Sequence, residues 1–103
     1  MHSLILLNTV GLTPRLLPFA PRLEKLSNQG WMRPLREVLP AVTCTAQATM
    51  LTGALPSQHG IVANGWLFRE TGEVRFWQQS NRLIQAERLY VTARRRAQEM
   101  GQT

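Results

Sequence analysis

A threonine next to a predicted helix start is the residue of this sequence best suited to do chemistry. Residues 40 to 64 read PAVTCTAQATMLTGALPSQHGIVAN, which places Thr43 shortly after Pro40 and just before a predicted helix. The first N–H groups of a helix lack intrahelical acceptors and favour anions, so a phosphate held there would meet the Thr43 hydroxyl. A bound divalent metal could lower the pKa of that hydroxyl and make it nucleophilic.

The same segment has plainer interpretations that stay open from the residues alone. Threonine is a good helix N-cap, so Thr43 could be a capping residue, and Thr45 could equally be the cap. Gln47 could donate an amide N–H to a phosphate oxygen or simply face solvent. The Cys44 side chain next to Thr43 is expected to be a small buried group rather than a catalytic thiol.

The elements that would position Thr43 follow from apolar patterning. We predict a buried strand over Ser3–Thr9 and a second strand over Leu35–Leu39, which Pro40 ends. Helices are predicted from Pro21 to a stop at Gly30, with Leu23 and Leu26 on one face, and from Ala46 to Leu51, closed by Gly53. This alternation predicts the α/β fold class, with a layered sheet and crossover connections.

The second half of the chain predicts a β-hairpin followed by helix. Trp66–Arg69 and Val74–Trp77 flank the Gly-bearing turn at residues 70–73. The hairpin aromatics Trp66, Phe68, Phe76 and Trp77 could form a wall for a nucleobase, although packing onto the sheet is the simpler role. From Ser80 onward the pattern is helical, and Glu87–Gly101 is predicted to be a basic last helix.

Composition narrows the class of protein. The chain has 103 residues, 44% of them hydrophobic, a net charge of +6 and one cysteine, which fits one small globular domain without an internal disulfide or a four-cysteine zinc site. The apolar run Leu4–Leu7 is too short for a membrane span, and we expect a soluble, cytoplasmic protein. The arginine run Arg94–Arg96 could attract nucleic acid, but no recognition motif accompanies it, so a solvated helix face is expected.

The spacing of several residues around Thr43 resembles the nucleophile region of type I phosphodiesterases and nucleotide pyrophosphatases, in the alkaline phosphatase superfamily. The matching residues are Thr43-Cys44, Thr52-Gly53, Pro56-x-x-His59-Gly60-Ile61 and Asn64-Gly65. A weaker resemblance runs from Leu4 to Tyr90. The resemblance to this family implies a partial α/β/α sandwich with a β-hairpin insertion. It also implies two divalent metal ions, usually zinc, and a covalent phosphothreonine intermediate.

Carried over by position, the resemblance makes Thr43 the catalytic nucleophile and a metal ligand. Cys44, through its backbone N–H, is expected to bind substrate with Gln47 and Asn64. The family usually has a metal-binding Asp just before a Gly in its first strand, but Val10 precedes Gly11 here, which leaves Asn8 as the nearest metal ligand. A phosphate-contacting Asn often follows the nucleophile by three residues, where this chain has Ala46. His59 has a structural role in the family, and a ligand role is the alternative.

Three functions are therefore considered. The first is a metal-dependent hydrolase of phosphodiester or pyrophosphate bonds, acting on a phosphate ester or nucleotide. In this interpretation residues 1–103 are the N-terminal portion of an incomplete domain, inactive because later metal ligands are missing. The alternative is a non-catalytic relative that binds a phosphorylated ligand or a partner, which Val10 favours. The third is a small basic nucleic-acid-binding protein.

Overall fold

The chain forms helices and one small sheet in two separate units. The computed structural model describes residues 4–78 and 80–101, and the units are Met1–Leu35 and Arg36–Thr103. The regular elements are α1 (Pro21–Gln29), α2 (Thr43–Thr52), α3 (Pro56–His59), β1 (Gly65–Phe68), β2 (Glu73–Phe76) and α4 (Leu89–Glu99), with 3-10 turns at Leu17–Phe19 and Asn81–Leu83. This mixed composition is compatible with the predicted α/β class.

Helix α1 is the main element of the first unit, and its predicted bounds are confirmed. Pro21 occupies the first helical position, where its fixed φ suits a helix and its missing N–H costs nothing. Gly30 follows the last residue of the helix. Leu23 is half-buried, whereas Leu26 on the same face is 65% exposed, so the apolar face of α1 is only partly covered.

The two predicted buried strands are wrong for this structure. Residues 4–9 and 35–39 form no strand, and Ser3 lies outside the described residues. The apolar run Leu4–Leu7 is 61–87% exposed. A parallel strand needs a neighbouring strand for its hydrogen bonds and helices over both faces. The described residues supply neither for these two segments, so they form no α/β/α sandwich.

Helix α2 and the turn after it hold the core of the second unit. The helix begins at Thr43, three positions before the predicted Ala46, and Gly53 ends it in the left-handed conformation with φ 65°. The Gly53 N–H donates to the Thr49 carbonyl at 2.8 Å. The buried residues of the described chain are Thr45, Ala48, His59 and Ile61, a small set that ties α2 to α3 and the segment beyond it.

The predicted hairpin is confirmed, with each strand one residue earlier in the chain than predicted. Strands β1 and β2 pair antiparallel, with Trp66 opposite Arg75 and Gly65 opposite Phe76. Gly72 supplies the positive φ, 67°, that the turn requires. The Arg75 guanidinium lies 5.2 Å from the centre of the Phe68 ring, and the Arg75 side chain pairs with Glu73.

Helix α4 is the basic last helix, and it begins two residues later than predicted. Leu89–Glu99 form the helix, and none of these residues is buried. Arg95 forms ion pairs with Glu99 at 3.2 Å and with Glu87 at 3.5 Å. The arginine run therefore lies on a solvated part of the helix, where nearby glutamates neutralise part of its positive charge. Within the described ranges, no helix is both long and apolar enough to cross a membrane.

Candidate active site

Thr43 is the first residue of α2, and it is exposed. The residue before it, Val42, is the N-cap in an extended conformation with φ −116° and ψ 157°, and it makes no side-chain capping hydrogen bond. Thr43 and Thr45 are therefore inside the helix rather than at its cap, and the capping interpretation is wrong. The Thr43 hydroxyl is at a helix start and open to solvent.

The first turn of α2 has the free N–H groups that an anion site requires. The Ala46 N–H, which bonds the Val42 carbonyl at 2.9 Å, is the first to have an acceptor four residues back. The N–H groups of Thr43 and Thr45 precede this bond, so neither has an intrahelical acceptor. Thr43 is exposed, whereas Thr45 is fully buried, so the Thr43 N–H is the one of these two that an anion can reach. No acidic residue lies in this first turn. The local field of the helix start therefore favours a negatively charged ligand.

A hydrogen bond joins this helix start to the β-hairpin. The Cys44 N–H donates to Asn64 Oδ1 at 2.9 Å, and Asn64 directly precedes β1. At the other end of the hairpin, the Trp77 N–H donates to the Asn64 carbonyl at 3.2 Å. Asn64 thus contacts both the first turn of α2 and the residue that follows β2.

The hydrogen bond between Cys44 and Asn64 joins two of the predicted substrate-binding residues. Cys44 and Asn64, both expected to bind substrate, are brought together although they are 20 residues apart. The Cys44 N–H already donates to the Asn64 oxygen in this arrangement. A phosphate oxygen that reached the Cys44 N–H would therefore compete with Asn64 for it. Substrate binding by Cys44, Gln47 and Asn64 stays a prediction.

The His59 side chain contacts α2 through Thr49. It is fully buried, the Ile61 N–H donates to its Nδ1 at 3.1 Å, and its Nε2 lies 2.9 Å from Thr49 Oγ1. Since Nδ1 accepts, the ring proton is on Nε2, which donates to the Thr49 hydroxyl. Burial lowers the pKa of His59 below 6.5, and a backbone hydrogen bond opposes that shift. With both ring nitrogens engaged, the geometry favours the structural role over the ligand role.

A cavity of about 260 Å³ lies along α2 in the second unit. Cys44 and Gln47 line it, so two of the predicted substrate-binding residues share one cavity. Its other wall residues are Ala48, Leu51, Ile61, Ala63, Trp66, Trp77, Ser80, Asn81 and Ile84. Sequence analysis left an aromatic wall from the hairpin as the alternative to packing onto the sheet. Of the four hairpin aromatics, Trp66 and Trp77 line this cavity. The contributions of Ser80 and Asn81 had no sequence signal.

Asn8, the other predicted metal ligand, lies in the first unit and is exposed. Residues 4–78 and 80–101 bring together no group of three or more His, Cys, Asp or Glu side chains that could hold a metal ion. These residues therefore do not fit a two-metal centre by themselves. A pairing of Asn8 with Thr43 at a metal stays a prediction.

An exposed hydroxyl at an anion-favouring helix start is compatible with binding of a phosphate group next to a side-chain oxygen. The family model for type I phosphodiesterase / nucleotide pyrophosphatase matches residues 4–102, and the chain belongs to this family. The resemblance seen around Thr43 is thereby confirmed. No curated protein and no solved structure matches the chain significantly. Membership supports a hydrolase of phosphodiester or pyrophosphate bonds, with phosphate esters as substrates.

Proposed function

We propose that this chain is the nucleophile-bearing part of a metal-dependent hydrolase of phosphodiester or pyrophosphate bonds, with Thr43 as the nucleophile. The observation that carries the proposal is the exposed Thr43 at the first position of α2, in a chain of this family. A phosphate bound at this helix start would lie beside Thr43. The phosphate and the attacking oxygen would therefore share one site.

In the proposed reaction the Thr43 oxygen attacks phosphorus and the ester oxygen on the opposite side leaves. Water then cleaves the bond between phosphorus and Thr43 and restores the hydroxyl. The N–H group of the exposed Thr43 would stabilise the charge on a phosphate oxygen. The Cys44 N–H would join it by exchanging its Asn64 acceptor for a phosphate oxygen.

The two metal ions are proposed from the family resemblance and are not inferred from the described residues. The resemblance implies two divalent ions, usually zinc, with Thr43 and Asn8 as the ligands from this chain. The family pattern has a carboxylate at the position of Val10, and the nearby Asn8 offers only a neutral oxygen, which weakens affinity for a hard cation. We propose that the remaining ligands come from outside this sequence, and that residues 1–103 alone have no turnover. A cytoplasmic location also stays part of the proposal.

Exposed apolar side chains support the inference that these residues are one portion of an alkaline-phosphatase-like domain. The run Leu4–Leu7 is 61–87% exposed, and Trp31 is 82% exposed. Large exposed apolar areas on a soluble chain mark surfaces that pack against something else. In the proposed domain, the segment at Leu4–Leu7 pairs with strands from outside this sequence.

The test is replacement of Thr43 in the intact protein that contains this chain. We expect Thr43→Ala to lower turnover of bis(4-nitrophenyl) phosphate by a factor on the order of 10³ or more, because the attacking oxygen is lost. Acid-quenched wild-type protein should carry a phosphoryl adduct that peptide mapping assigns to Thr43. Thr71→Ala, at an exposed turn of the hairpin, is the matched control and should keep full turnover.

Turnover that survives Thr43→Ala, or an adduct on another residue, would refute the nucleophile assignment. The second candidate is a non-catalytic relative that binds a phosphorylated ligand. The observation in its favour is Val10, an apolar and 77% exposed side chain directly before Gly11, where the family has a metal-binding carboxylate. Binding of phosphate esters by the intact protein without any adduct or turnover would identify this alternative.

A further inference from the structure

The outer edge of β2 is a surface of the second unit that the proposed phosphoryl chemistry leaves unused. Within the described residues the sheet consists of β1 and β2, so each strand has one neighbour and one free edge. All four residues of β2 are exposed, and Val74 and Phe76 are each 59% exposed. An unpaired edge of this kind can pair with a strand from another chain.

The register of the hairpin determines which backbone groups of β2 face the free edge. The Trp77 N–H donates to the Asn64 carbonyl at 3.2 Å, so these two opposed residues form a hydrogen-bonded pair. Hydrogen-bonded and non-hydrogen-bonded pairs alternate along an antiparallel ladder. Glu73 and Arg75 therefore direct their backbone groups toward β1, whereas Val74, between them, directs its N–H and carbonyl outward. Among the described residues, no segment outside the hairpin bonds these outward groups.

The charges along this edge are complementary to a second copy of the same strand. Glu73 and Arg75 lie on one face of β2, on either side of Val74, and their side chains are 52% and 48% exposed although they pair with each other. When two copies of β2 run antiparallel with Val74 opposite Val74, Glu73 of each copy lies opposite Arg75 of the other. Opposite charges at opposed positions stabilise strand pairing, and like charges destabilise it.

The neighbouring registers are disfavoured by the same charges. Outward-facing residues have to oppose one another, so the nearest alternatives place Val74 opposite either Gly72 or Phe76 of the second copy. The first brings Glu73 opposite Glu73, and the second brings Arg75 opposite Arg75, so both oppose like charges. In the register centred on Val74, Phe76 lies opposite Gly72. A Cβ built at Gly72 would meet nothing within 4 Å, so its own chain leaves room for the ring.

We propose that the outer edge of β2 is a dimerisation surface, at which two copies of this chain pair antiparallel to form a four-stranded sheet. The contact is isologous, with a twofold axis through the Val74 pair. The two Val74 residues exchange two backbone hydrogen bonds, and one ion pair between Glu73 and Arg75 lies on each side of them. A two-stranded sheet is marginal in water, so each hairpin is stabilised by the added strands. The inference does not depend on the proposed function of Thr43.

The test is sedimentation velocity of the intact protein over a range of concentrations, with charge variants of β2. We expect the wild-type protein to show a concentration-dependent equilibrium between monomer and dimer. Glu73→Arg and Arg75→Glu should each weaken dimerisation by about tenfold or more, because both opposed pairs become like charges. The double variant Glu73→Arg/Arg75→Glu should restore it. Glu70→Arg makes the same charge change at an exposed turn residue of the hairpin, and this matched control should leave dimerisation unchanged.

An equimolar mixture of the two single variants separates pairing between chains from effects within one chain. The two arginines of one variant would lie opposite the two glutamates of the other, so heterodimers should form although neither variant dimerises well alone. Loss of the ion pair between Glu73 and Arg75 within one chain cannot explain this result, because both variants lack that pair. A wild-type protein that stays monomeric, dimerisation that survives both single changes, or a mixture that does not associate overturns the proposal.

Discussion

The backbone N–H of Cys44 and the side-chain oxygen of Asn64 are 2.9 Å apart, although 20 residues separate them in sequence. This hydrogen bond closes the loop that runs from the start of α2 through α3 to the start of β1. It satisfies one of the N–H groups that a helix start leaves without an acceptor. The residue next to the proposed nucleophile is therefore fixed by a side chain from a distant part of the chain.

Replacing Asn64 separates its structural contribution from its part in phosphate binding. We expect Asn64→Ala to lower the free energy of unfolding by about 0.5–1.5 kcal/mol, since the Cys44 N–H loses its acceptor. Asn64→Asp keeps an acceptor at a helix start and should retain most of the stability. Its negative charge should nevertheless weaken phosphate binding at the first turn of α2. Urea unfolding and a ³¹P NMR titration measure the two effects. Unchanged stability in Asn64→Ala would contradict the role of this bond.

The stability of the second unit should depend on pH through His59. Burial lowers the pKa of His59 in the folded chain below its ordinary 6.5, so the unfolded chain takes up the proton first as the pH falls. The contribution of neutral His59 is therefore complete above pH 6.5 and decreases as the pH falls from 6.5 toward the folded-state pKa.

The measurement is the urea midpoint between pH 7.5 and 5, with His59→Gln as the variant. We expect the wild-type midpoint to fall on acidification and the decrease to be smaller in His59→Gln, which cannot take up a proton. Since His59→Gln could fail to fold, the imidazole of the wild-type chain should also be titrated by NMR. A His59 pKa at or above 6.5 would be incompatible with this account.

Gly65 should resist substitution because a ring lies over it. A Cβ built at Gly65 would be 2.6 Å from Phe76 Cε1, the residue opposite in the hairpin. We expect Gly65→Ala to destabilise the protein by about 1 kcal/mol, the low end for overpacking, because the exposed ring can move aside. The penalty should largely disappear in a Phe76→Leu background. Thermal unfolding of the four proteins of this double-mutant cycle checks it, and equal penalties in both backgrounds would disprove the contact.

The arginine run of α4 should not make the chain a nucleic-acid-binding protein. Arg95 is already paired with Glu87 and Glu99, so the charge available to a phosphate backbone is reduced. We expect fluorescence anisotropy to show no complex with duplex DNA at physiological salt. At low salt we expect at most weak binding, which falls steeply as salt is added. A complex that persists at physiological salt and is lost in an Arg94→Gln/Arg96→Gln variant would favour the nucleic-acid function instead.

The elements that were predicted well depend on local signals. Pro21 and Gly30 bound α1, Gly53 ends α2, and the turn glycine Gly72 lies between the two strands of the hairpin. These residues act through their own backbone preferences, which need no distant partner. The strands at Ser3–Thr9 and Leu35–Leu39 were predicted from short apolar runs and the Gly11 and Pro40 that follow them. A parallel strand exists only with a neighbour to pair with, so these local signals could not establish it.

The sequence by itself determined the family, the presence of a helix that Gly53 ends, and the hairpin, because motif spacing and turn residues are properties of neighbouring positions. That this helix begins at Thr43 came from the structure. Only the tertiary structure decided that Asn64 bonds Cys44, that His59 donates to Thr49, and that Trp77 lines a cavity beside α2. These relationships depend on how the chain folds back on itself. Hydrogen bonds and cavity walls need distances and directions between separate segments, and a linear pattern does not contain them.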